Sequence, residues 1–123
     1  MQVHSKHGSD EGASAVEFAI VLPLLAMLLF GIIQYGYTFF EYIQVAQSAR
    51  EAVRWGALGS SDAEIRAKAL AAAPALTSNV VVTIAHTTDS VSVTVTKPVT
   101  RLAPLPDIAV PASMSSTAVQ RKE

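Results

Sequence analysis

The chain is expected to be an α+β protein: a long N-terminal helix, transmembrane in its first half and amphipathic in its second, with a small C-terminal antiparallel β-sheet packed against it. Three features predict this. Residues 18–40, FAIVLPLLAMLLFGIIQYGYTFF, contain no charged side chain. Apolar residues then recur at three- and four-residue spacing through Phe39, Tyr42, Ile43, Ala46, Ala49, Val53 and Ala57. Finally, Val91, Val93 and Val95 alternate strictly with Ser92, Thr94 and Thr96.

As a helix, the uncharged run would extend roughly 35 Å, slightly more than the apolar thickness of a bilayer. A cleaved secretory signal uses about 7–15 apolar residues behind a basic segment. This run is longer, and Lys6 is the only Lys or Arg before it. A retained single span is therefore expected, with membrane lipid as its solvent. Residues 1–12, MQVHSKHGSDEG, are polar and aperiodic and form a separate leader. The span covers residues 13–40, and with no Gly or Pro in 37–55 the helix continues as an amphipathic segment over 41–57. Gly56 and Gly59 are expected to end it.

Residues 60–123 make the head. Ser61-Asp62-Ala63-Glu64 has the form of a capping box, opening an alanine-rich helix that runs to about Ala73 and stops at Pro74. Strands follow at Val80–His86 and around Val91–Val95, joined through Thr87–Ser90, with a third strand at 113–120. Pro98, Pro104, Pro106 and Pro111 hold the intervening chain irregular or at a sheet edge. Two strands alone are unstable in water, so the apolar stripe of residues 42–57 is expected to cover the sheet.

Composition excludes several functions. Nine Lys and Arg against ten Asp and Glu give a net charge of -1, and there is no basic stripe, so no nucleic-acid partner is expected. The absence of cysteine removes thiol chemistry. His4 and His7 have a ligand-like spacing but no third ligand nearby, so no metal and no cofactor are expected. No nucleophile–base pair or phosphate loop is apparent, and the chain is not expected to be an enzyme; a cleft uniting Glu64, His86 and Asp89 would be needed to make it one.

Glu17 stands at the mouth of the apolar run. A carboxylate there is favoured by the positive end of the helix dipole, although deeper placement costs on the order of 2.5–3.5 kcal/mol. Pro23 removes one backbone hydrogen bond and disturbs the carbonyl of Ala19, a kink that neighbouring helices tolerate. Gly31 and Gly36 offer close approach to another helix, though not at the four-residue spacing of a tight dimer seam.

Gly12-Ala13-Ser14-Ala15-Val16-Glu17-Phe18, leading directly into the apolar run, resembles the processing site of type IV prepilin-like proteins. The longer stretch GASAVEFAIVLPLLAMLLFGIIQYGYTFF, followed by QVAQSAREAVR over Gln44–Arg54, resembles the TadE-like family of tight-adherence pilus proteins. The VxVxV strand and the SMSSTAVQRKE tail match that family loosely. The resemblance implies cleavage between Gly12 and Ala13 by a membrane-embedded prepilin peptidase, which would leave Glu17 as the fifth residue of a mature structural minor pilin or pseudopilin. Glu17 and Phe18 would form the assembly and processing motif. The implied partners are the peptidase, other pilins and minor pilins, and the tight-adherence inner-membrane platform. The implied location is the bacterial inner membrane, N-terminus cytoplasmic and head periplasmic or extracellular. Asp10 and Glu11 depart from the basic leader usual in this family. The alternative is a single-pass, membrane-anchored binding or adhesion module whose leader is never removed.

Overall fold

The computed structural model describes residues 7–76, 79–102 and 110–123, with side chains from residue 12 onward. A single helix, α1, runs His7–Ala57 without interruption at Pro23. It begins inside the stretch expected to be an irregular leader. Residues 7–11 continue the helix into the polar segment. His4 lies outside the described residues, as do Pro104 and Pro106.

The far end of α1 is closed by Gly59 rather than Gly56. Gly59 has φ +82°, its N–H donates to Gly56 O at 3.1 Å, and Ser60 N–H donates to Trp55 O at 3.2 Å. This paired bonding is the Schellman arrangement, which uses the left-handed backbone that glycine adopts without strain. Gly56 stays inside the helix for a packing reason. A Cβ there would lie 2.9 Å from Val91 Cγ1 and 3.3 Å from Ile65 Cδ1. The absent side chain is what lets strand and helix meet.

The second helix, α2, spans Asp62–Ala71. Its capping box forms as expected: Glu64 N–H donates to Ser61 Oγ, and Ser61 N–H donates to Glu64 Oε2 at 3.1 Å. The strands are β1 (Val81–His86), β2 (Ser90–Pro98) and β3 (Ser113–Arg121). They form one antiparallel sheet in the order β1-β2-β3. Thr87 closes the β1–β2 hairpin, its N–H donating to Ser90 O at 2.8 Å. Asn79, at φ 58°, turns the chain into β1, a conformation that asparagine tolerates better than most residues.

The core lies between the sheet and the upper part of α1. Val91, Val93 and Val95 are fully buried, together with Val45, Ala49, Ala52, Ile65 and Ala69. The opposite face of the sheet is polar, with Thr94 and Thr117 hydroxyls bonded across strands at 2.8 Å. Ser48 Oγ donates to Ala69 O at 2.6 Å and ties α1 to α2.

The covering stripe differs from the one expected. Ala49, Val53 and Ala57 are buried, but Tyr42 and Ile43 are exposed. The face that meets the head is instead Gln34, Glu41, Val45, Ser48, Ala52 and Gly56. Small and polar residues let a sheet lie close to the helix axis, and the bulky rings project away.

Candidate functional site

Two parts of α1 carry candidate chemistry. The lower part runs from Gly12 to Ile33. No 12–33 residue is fully buried, and the most apolar 18-residue window of α1 has no buried residue, with a mean hydropathy of 2.6. Leu22, Leu24, Met27, Leu28, Phe30 and Ile33 all stand open. A soluble protein buries such a surface; here it is a candidate membrane anchor. At 1.5 Å per residue the 12–33 length is about 33 Å, close to the hydrocarbon core.

Gly12, Ala13, Glu17 and Phe18 occupy the entrance to this segment, all exposed and all helical. An added Cβ at Gly12, Gly31 or Gly36 would meet nothing within 4 Å. These residues share one stretch of helix and are not drawn into a cluster with the head. Pro23 lies between them, also exposed.

The second part is the junction where the head meets α1, and it was not anticipated. Glu41 is 1% exposed and Lys97 4% exposed. Lys97 Nζ donates to Glu41 Oε1. Thr100 Oγ1 donates to the same oxygen at 2.7 Å, and Thr100 N–H donates to Glu41 Oε2 at 3.2 Å. Lys97 Nζ also donates to Thr100 Oγ1 at 3.0 Å. Two helical turns lower, Gln34 is bound by the same loop. Its Nε2 donates to Thr100 O at 2.8 Å, and its Oε1 accepts from Leu102 N–H at 2.7 Å. Both carboxylate oxygens and both ends of the amide are therefore satisfied, the condition for burying such groups.

Burial alone would raise the Glu41 pKa. The bonds from Lys97 and Thr100, with the Lys97 charge, outweigh it and hold the carboxyl below its ordinary 4.5. Glu41 therefore stays ionised at neutral pH, and its bonds to Lys97 and Thr100 pin the end of β2 to the helix. The head thus covers α1 from Gln34 upward, and the expected division at residue 40 falls inside the clothed part.

A signal for this pair exists in the sequence. The inward register of β2 runs Val91, Val93, Val95 and then Lys97. A lysine on the apolar face of an alternating strand requires a buried anion opposite. Glu41 is the acid that sits between the apolar run and the amphipathic stretch.

The residues that would have formed an acid–base cleft are used otherwise. Glu64 caps α2, His86 Nε2 lies 2.8 Å from Asp62 Oδ1 on the surface, and the Asp89 carbonyl accepts from Lys122 N–H. Among the described residues, no group of three or more His, Cys, Asp or Glu side chains is arranged to hold a metal.

Fold and site together define a class: a bare apolar helix, a candidate anchor, that rises into a small α+β head clamped to its upper half. Residues 12–54 match the family described as TadE-like protein. That match agrees with the resemblance read from the sequence: over those residues the chain is similar to TadE-like proteins. No curated protein and no solved structure matches the chain.

Proposed function

We propose that the protein is a structural minor pilin or pseudopilin, not an enzyme, that is needed to assemble a bacterial tight-adherence (Flp-type) pilus. A prepilin peptidase would remove residues 1–12 on the cytoplasmic side of the inner membrane. The mature helix would hold the head on the periplasmic or extracellular side until it joins other pilins and the inner-membrane platform. The observation that carries this reading is the juxtaposition of Gly12 and Glu17 at the entrance to an exposed apolar helix that matches the TadE-like family.

The physical chemistry supports processing at this point. Gly12 is helical, whereas a peptidase needs an extended strand. The head makes no claim on this end, so unwinding costs only a few terminal turns, and glycine lowers the barrier further. Cleavage would free an α-amine on Ala13, with an ordinary pKa of about 7.7–8.0. The Glu17 carboxylate of a neighbouring subunit, costly in low dielectric when unpaired, would select the register in which that amine is present. The open surroundings of Gly31 and Gly36 leave room for another helix.

The deciding experiment is intact mass spectrometry on protein from its native membrane. A chain that begins at Ala13, and that disappears in Gly12→Leu, is the expected result. A chain that always begins at Met1 would replace the pilin assignment with the plain membrane-anchored module.

A further inference from the structure

One segment of the TadE-like stretch is left unused by the anchor and the clamp: Arg50-Glu51-Ala52-Val53-Arg54. Ala52 and Val53 are buried under the head. Arg50 and Arg54 are exposed. They line a groove of about 760 Å³ between α1 and α2, together with Glu51, Trp55, Lys68 and Gln120. Among the described residues that line it, three cations face one carboxylate. That carboxylate is already engaged, since Trp55 Nε1 donates to Glu51 Oε1 at 2.8 Å and Arg54 Nη1 lies 4.0 Å from Glu51 Oε2. Lys68 Nζ sits 4.2 Å above the Trp55 ring, so its charge is held at the groove wall rather than released to solvent.

The groove therefore combines a partly covered tryptophan with an excess of positive charge. Trp and Arg are the side chains most often found to dominate protein–protein contacts. We propose that this groove is a docking site for a carboxylate-rich peptide segment of another protein. Arg50 and Arg54 would receive the acids, and Trp55 would supply the contact surface.

Position argues against lipid as the occupant. Arg50 lies sixteen residues above Gln34, the lowest residue that the head covers. That is about 24 Å along the helix axis. The field of anionic headgroups fades over a screening length of about 8 Å. A cationic groove at that height meets proteins rather than the membrane surface. That its partner is another pilus component rests on the function proposed above; the charge and shape of the groove do not.

The test uses the full chain in neutral detergent, with Trp55 as reporter because it is the only tryptophan. A synthetic Glu-rich peptide should change Trp55 emission saturably, and the change should weaken as salt is raised. The same peptide with glutamines should leave the emission unaltered. In R50Q/R54Q, whose exposed positions leave the fold intact by circular dichroism, affinity for the Glu-rich peptide should fall by about tenfold or more. Three outcomes overturn the proposal: a flat titration, equal binding of the two peptides, or equal binding by the double variant. Inorganic phosphate or phosphatidylglycerol vesicles that reproduce the response at the same concentration of anion also overturn it, in favour of a general anion or lipid site. Leader cleavage is read separately by mass. A chain that keeps Met1 but binds the peptide defeats the pilin assignment alone, and a cleaved chain that ignores the peptide defeats only the groove.

Discussion

The two halves of α1 share one backbone and meet opposite surroundings. Below Gln34 the helix is ringed by exposed leucine, isoleucine, methionine and phenylalanine. Above it, one face is packed to zero exposure at Val45, Ala49 and Ala52. As a membrane anchor the lower half would need no partner from its own chain, because lipid would supply the apolar solvent and the helix satisfies its own hydrogen bonds. The upper half emerges into water and is stabilised by the head. The handover is made by polar groups, Gln34 and then Glu41, not by a graded loss of hydrophobicity.

This contrast can be broken hardest at the clamp. Lys97→Ala would leave the Glu41 carboxylate buried without its cation, a loss of about 3–5 kcal/mol. Denaturant unfolding of the head in detergent would measure it. The double change Glu41→Leu/Lys97→Met should recover most of the loss, since it removes both charges and keeps the volume. Failure of that recovery would mean that the pair does more than fill space.

The same pair makes stability depend on acidity. Because the folded pKa of Glu41 is depressed, its contribution is fully present above the ordinary value of 4.5 and is lost as pH falls through the folded value. A melting series across the acid range should show the head weakening below about pH 4.5. The slope should be shallower in Glu41→Gln.

Smaller effects sharpen the comparison between the halves. Gly56→Val would drive a side chain into Val91 and Ile65, at a cost of about 1–3 kcal/mol. Ser61→Ala would remove the cap of α2 for about 1 kcal/mol. Gly31→Ala, where nothing lies within 4 Å, should leave the unfolding midpoint of the isolated chain within about 0.5 kcal/mol of the parent. Any defect it causes should therefore appear only when the protein is recovered with its partners.

Local chemistry was legible in the sequence. The capping box, the β1–β2 hairpin, the polar–apolar alternation of β2 and the third strand all follow from short-range rules, and all are present. What escaped was rotation and pairing. The three-and-four pattern marks Tyr42 and Ile43 as part of the covered stripe because it registers hydrophobicity without size. The close approach of a sheet instead selects the Ser48, Ala52 and Gly56 side. The Glu41–Lys97 pair joins residues fifty-six positions apart, a distance over which no local rule acts. Even so, a lysine in the inward register of β2 was a visible irregularity. At the anchor, the exposed apolar run of α1 was readable from charge and length alone, because a bilayer imposes its thickness on any sequence that crosses it.

The backbone of residues 100–102 grips the Gln34 amide from both ends, while Gly56 is locked against Val91 about 33 Å further along the same rod. A body fastened at two well-separated stations cannot swivel on its shaft. Any turn imposed on the apolar end would be delivered to the far tip as torque, so twisting the root steers the face that the head presents.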